Sequence, residues 1–173
     1  MTAAVVPLTG ERVILPGQIW FGGGAQQAST LLGSCVAFTL WHPVLRLGGM
    51  CHYMLPERPP SLGGGLLDGR YGDEALALLL RAARAAGCPP EECETKLFGG
   101  GCMFEAESLA RGDALQVNLR NVEQAHRLAL RHGLRVVAHH LGGEGHRQIR
   151  LHLDTGDVWM RFSPRQSPMR RWA

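Results

Sequence analysis

The sequence has no apolar run approaching the roughly 20 residues that a membrane-spanning helix requires. Its first residues, Met1 to Gly10, show neither a basic start nor an unbroken apolar core, because Pro7 interrupts the stretch. A signal-led or membrane-embedded chain is therefore not expected, and the localisation read from the sequence is cytoplasmic. Charged residues are scarce, 19% against 45% hydrophobic, which excludes the disordered class, whose chains bury too little apolar surface to offset the entropy of folding. The five cysteines, Cys35, Cys51, Cys88, Cys93 and Cys102, lack the even count and repeated spacing of a disulfide framework and the close pairs of a zinc site. Arginines are scattered among acids under a net charge of +3, so no basic stripe for nucleic acid is formed. Only Arg165, Arg170 and Arg171 gather, and they read as a solvated tail. No internal repeat is visible.

What is present fits one core better than two, since 173 residues divided between separate cores would leave each hard to stabilise. Glu11 to Trp20, broken by Pro16 and Gly17, reads as one early strand and a turn, followed by a flexible Gly22-Gly23-Gly24 stretch. Val36 to Trp41 is β-branched and aromatic and closes at His42-Pro43, giving a buried strand with Cys35 at its entrance. Met50 to Leu55 is a second strand ending at Pro56, whose period of two puts Met50, His52 and Met54 on one face, with Cys51 and Tyr53 on the other. The Pro- and Gly-rich segment from Pro56 to Gly72 reads as a long loop bordering the site.

Leu76, Leu79, Leu80 and Ala83 share a helical face, with Asp73 and Glu74 in the first turn and Gly87 as the stop. Asn121 followed by Gln124 reads as the N-cap of a second helix that Gly133 terminates. Short strands are expected at Lys96 to Phe98, running into Gly99-Gly100-Gly101, and at Leu134 to His139. Ile149, Leu151 and Leu153, then Val158, Met160 and Phe162, alternate about a turn at Asp154 to Asp157 and predict a terminal hairpin. The expected class is α/β: a single-domain layered α/β sandwich over residues 1–162, with a mixed β-sheet core and two or three helices, and a basic tail over 163–173.

The residues suited to chemistry gather near one place. Cys35 follows a Gly33-Ser34 turn at a strand start, where a side chain stays accessible and backbone N–H groups of Ser34 and Cys35 can serve as oxyanion donors. A thiol reacts as thiolate and requires a base near neutral pH. His52, on an apolar strand face in the adjoining strand, is the candidate base, and the hydroxyl of Ser29 or Thr30 could hold its imidazole in the required tautomer. Gly33, Gly99 and Gly100 join Ser34 as candidates for oxyanion or substrate binding, the glycine run allowing close backbone approach at the site. Cys51 faces away from His52 by strand alternation. His139, His140, His146 and His152 read as solvent-facing side chains; no metal and no cofactor is expected.

Ser29-Thr-Leu-Leu-Gly-Ser-Cys-Val-Ala, then Trp41-His-Pro, then Gly49-Met-Cys-His-Tyr-Met-Leu-Pro56 resemble the signature of the CheD family of chemoreceptor glutamine deamidases. Downstream, Arg70-Tyr-Gly-Asp-Glu-Ala75, Lys96-Leu-Phe-Gly-Gly-Gly-Cys-Met-Phe104 and Asn118-Leu-Arg-Asn-Val-Glu123 are similar to further segments of that family, in order along nearly the whole chain. The resemblance implies Cys35 as nucleophile, His52 as its partner and a hydroxyl at Ser29, where the family usually has threonine, with Thr30 as the fallback. The chain departs from the pattern at Gly72, where the family has alanine, and at Gly142-Gly-Glu-Gly-His-Arg147, where Glu144 replaces a neutral residue.

What the resemblance implies about activity is conversion of receptor glutamines to glutamates with release of ammonia, and hydrolysis of glutamyl methyl esters by the same thiol. It also implies the cytoplasmic helices of methyl-accepting chemotaxis receptors as substrate and a CheC-type phosphatase as a regulatory partner. Two other readings are kept beside it: a catalytically weak adaptor for receptors or phosphatase, motivated by Ser29 and Glu144, and a metal-binding protein using the C-terminal histidines.

Overall fold

The structure, a computed structural model, describes residues 10–23, 27–103 and 114–165; Gly24, Phe104 and the tail arginines Arg170 and Arg171 lie outside them. Alternating and continuous apolar runs form strands β1 (Glu11–Val13), β2 (Ile19–Gly22), β3 (Gln27–Leu32), β4 (Val36–His42), β5 (Leu47–Tyr53), β6 (Glu94–Gly99), β7 (Val136–Leu141), β8 (Gly145–His152) and β9 (Val158–Pro164). Helices α1 (Gly72–Ala85) and α2 (Ala114–Arg131) interrupt the strand order. The class is α/β, as the pattern of elements predicts.

The strands divide into two mixed sheets, ordered β1-β3-β8-β9 and β2-β5-β4-β6-β7. The reason for two sheets lies in β4, which is buried at every position and must be covered on both faces. Period-two alternation sends Val36, Phe38 and Leu40, with Cys51 and Tyr53 of β5, against Leu76, Leu79 and Leu80 of α1 and Ala125 and Leu128 of α2. The opposite face, with Ala37, Trp41, Met50 and Phe98, packs on Ala28, Leu32, Ile149 and Leu151 of the smaller sheet. The result is three layers: helices, the five-stranded sheet, then the four-stranded sheet.

Three sequence expectations are amended. The early segment forms two strands, not one, because the Pro16-Gly17 turn, with Gly17 at φ 81°, redirects the chain from the smaller sheet, where β1 runs parallel to β3, to the larger, where β2 pairs antiparallel with β5. Asn121 is not an N-cap: α2 already runs from Ala114, so Asn121 lies in mid-helix and its amide is used elsewhere. The last strand continues to Pro164, and Arg165 pairs with Glu144 at 3.3 Å. That terminal hairpin is tied to the larger sheet by Trp41 Nε1, which donates to the Leu153 carbonyl at 2.7 Å, and by Lys96 Nζ, which donates to the Gly156 carbonyl at 2.7 Å.

Candidate active site

The β4–β5 register sets Ala37 opposite His52, so these side chains share a face, and Cys35, two residues before Ala37, joins them on the side that meets the smaller sheet. Across the gap, Thr30 of β3 points inward with Ala28 and Leu32. Thr30 Oγ1 lies 2.8 Å from His52 Nδ1 and donates its own hydrogen to the Ile14 carbonyl at 2.6 Å. With that hydrogen committed, the hydroxyl accepts from Nδ1–H, and the imidazole is fixed as the tautomer whose Nε2 carries a lone pair. Nε2 is buried and makes no hydrogen bond, to the thiol or to any other group. Ser29, one residue earlier, is turned the other way by strand alternation, where its hydroxyl helps to lower the Glu11 carboxyl pKa. The hydroxyl on His52 is therefore that of Thr30.

Burial dominates the electrostatics. Desolvation raises the Cys35 thiol above its ordinary range, opposed by hydrogen bonds from the Ser34 side chain and its own backbone N–H. The same effect lowers His52 to about 4, opposed by the Ile14 carbonyl. Both shifts favour the neutral forms, thiol and imidazole, near neutrality. Cys35 is half-buried and reachable, whereas Cys51 is sealed on the helix side, where burial pushes its thiol up to about 12.

The turn that carries Cys35 is braced from both sides. Gly100 N–H donates to the Cys35 carbonyl at 2.8 Å and Gly101 N–H to the Gly33 carbonyl at 2.8 Å. At Gly99, φ is +118° and a Cβ would lie 2.1 Å from the Cys35 carbonyl oxygen, so this close approach requires glycine. The N–H of Gly100 is thus bound to the protein itself, which leaves the N–H groups of Ser34 and Cys35 as the candidates for an oxyanion. On the helix side, Asn121 Nδ2 donates to the carbonyls of Ser34 and Met54 at 3.0 and 2.9 Å.

Two participants in this neighbourhood were not found in the sequence. Asn121 was masked by its resemblance to a cap. Arg147 is 1% exposed: its Nε donates to His140 Nδ1 at 2.7 Å, its Nη2 to the Gly142 carbonyl, and its guanidinium lies over the Phe162 ring. Its place at an inward position of β8 follows from alternation with Ile149 and Leu151, a signal that the charge on arginine hides.

The remaining candidates stand apart. Cys88 and Cys93 bring their sulfurs to 3.4 Å between α1 and β6. His139 meets His126 edge-on and His152 lies by Trp159, so these histidines point to different neighbours. No cluster of three or more metal-ligating side chains occurs among the described residues. No helix among the described residues is long and apolar enough to cross a membrane.

A family model described as CheD chemotactic sensory transduction matches residues 54–162, more than half of the chain. A probable chemoreceptor glutamine deamidase CheD of Pseudomonas syringae pv. tomato is 46% identical over 156 residues, 89% of this chain and 90% of the relative. The probable chemoreceptor glutamine deamidase CheD 3 of Dechloromonas aromatica is 44% identical over 88% of this chain and 87% of its own. The probable deamidase CheD of Thermococcus kodakarensis is 42% identical over 75% of this chain and 78% of its own. The match to the family model and the extent of these identities place the chain in the CheD family.

Proposed function

We propose that the protein deamidates glutamine side chains of chemotaxis receptors, with Cys35 as nucleophile, His52 as general base and acid, and Thr30 as the group that orients the imidazole. The observation that carries this reading is the Thr30–His52 hydrogen bond, which holds an unbonded Nε2 lone pair on the face that bears Cys35. As the thiol attacks the amide carbon, Nε2 takes its proton, and the carbonyl oxygen gains the electron pair and is met by the N–H groups of Ser34 and Cys35. The proton then passes to the leaving nitrogen, ammonia departs, and a thioester remains. Water adds to the thioester carbon while Nε2 removes its proton. That proton returns to the departing sulfur, restoring the thiol, and the new carboxylic acid gives its own proton to solvent as glutamate.

A glutamyl methyl ester would follow the same course, with methanol leaving in place of ammonia. Each deamidation adds one negative charge to a receptor helix and creates a carboxylate that can be methylated. We place the protein in the cytoplasm, beside the receptor's cytoplasmic helices, with a CheC-type phosphatase as a second partner. Incubation with a receptor cytoplasmic fragment is expected to release ammonia and to convert specific glutamines to glutamates, located by peptide mass spectrometry, with no product from Cys35→Ala. Binding without product from the wild-type chain would overturn the reading and leave an adaptor.

A further inference from the structure

We infer that Asn121 is a positioning residue of this site: its side-chain amide clamps the turn that carries Cys35 to the end of the strand that carries His52, and so sets the approach of thiol to imidazole. The inference rests on the proposed cysteine chemistry and concerns what holds its two partners in place.

The last ladder pair of β4 and β5 is Val36 with Tyr53. Cys35 and Met54 lie just beyond it, where the ladder no longer fixes the distance between the chains. There Asn121 Nδ2 reaches both strands, donating to the Ser34 carbonyl at 3.0 Å, one residue before the nucleophile, and to the Met54 carbonyl at 2.9 Å. Because both acceptors are carbonyl oxygens, only the amide nitrogen can face them, and the side chain has a single orientation. The backbone of Asn121 is itself tied to the same strand, since Tyr53 Oη donates to the Asn121 carbonyl at 2.6 Å. With Gly100 N–H holding the Cys35 carbonyl from the turn after β6, the nucleophile's turn is fixed on its two flanks.

The cost of the arrangement points the same way. Asparagine is a poor residue for a helix interior, and Asn121 is fully buried there. Its Oδ1 is left buried without a hydrogen bond, an unfavourable state that an apolar side chain on the core face of α2 would avoid. The two donor bonds are what this residue supplies and a better helix former would not.

The test combines turnover of receptor fragments with the pH dependence of Cys35 alkylation by iodoacetamide, followed at Cys35 by peptide mapping. Five proteins are compared: wild type, Asn121→Ala, Tyr53→Phe, His52→Ala and Leu128→Ala. Leu128 is buried on the same helix away from the clamp and serves as the stability control. Asn121→Ala is expected to lower kcat by roughly 10- to 100-fold with KM within about two-fold, since a displaced pair loses reaction geometry and not ground-state binding. Its alkylation profile should move toward that of His52→Ala. Tyr53→Phe should shift both readouts in the same direction by less, while Leu128→Ala lowers the melting temperature and leaves both in place.

Wild-type kcat and a wild-type alkylation profile in Asn121→Ala would overturn the inference. If that variant does not fold, unchanged kcat and profile in Tyr53→Phe would do so. If the wild-type chain releases no ammonia, the proposed chemistry fails, and the alkylation profiles, which require no substrate, decide the clamp on their own: superimposable wild-type and Asn121→Ala curves overturn it.

Discussion

Thr30 and Ser29 are chain neighbours with similar chemistry, yet one faces the inter-sheet core and the other the outer side of β3, so their removal should have unequal effects. Thr30→Ala removes the acceptor that fixes the His52 tautomer and is expected to lower kcat by about 10- to 100-fold, with little change in KM. Ser29→Ala removes a hydroxyl on the Glu11 side of β3 and should alter turnover far less. Steady-state ammonia release from the two variants checks this. Equal losses would show that the hydroxyls act through the fold.

The pH dependence follows from the same residues. In the proposed mechanism His52 must be unprotonated to accept the thiol proton, and burial lowers it to about 4; kcat/KM should therefore stay level through neutrality and fall as pH drops through that value. At the alkaline end, activity should decline only above the ordinary thiol range, because Cys35 is raised and, in the same mechanism, its ionisation removes the proton that ammonia would carry away. A pH–rate profile tests both limbs. An acidic limb near the usual histidine range would contradict the buried, neutral imidazole.

Among the elements, the Gly99–Gly101 turn is the part that the site can least alter. Gly99→Ala places a methyl group against the Cys35 carbonyl in a backbone conformation that side chains avoid. It is expected to destabilise the protein by more than about 2 kcal/mol and to lower activity by moving Cys35, as read by urea unfolding and turnover together. The sequence showed this element plainly, since three consecutive glycines after a short strand imply close backbone contact. It also showed α1, β4, β5 and the terminal hairpin, because their hydrophobic periods are unbroken. It misrepresented α2, because a polar residue serving distant carbonyls has the same local pattern as a residue capping its own helix. Arg147 was missed because a charged side chain at a core position runs against the rule by which the core is read.

For the whole molecule, burial of His52 links stability to pH. The unfolded imidazole, with its ordinary value of 6.5, takes up a proton as pH falls, while the folded one does so only near 4. The unfolded chain therefore binds more protons across this window: stability is complete above 6.5 and declines toward 4, by about 3 kcal/mol from this group. Urea unfolding of the wild type and His52→Gln near neutrality and near pH 4 should show a shallower acid loss in the variant. Parallel losses would assign acid sensitivity to other groups.

The sequence by itself determined the α/β class, the strand that Cys35 leads into and the strand that carries His52, the face on which His52 lies and the glycine turn beside the thiol. These follow from periods and backbone preferences that act over a few residues. Tertiary structure alone decided that the sheet is divided in two, that Thr30 and not Ser29 meets the imidazole, and that Asn121 reaches both strands beyond the end of their ladder. Each of these depends on which elements face one another across a packed core, and that pairing is set by the burial of many side chains at once, information that no short stretch of chain contains.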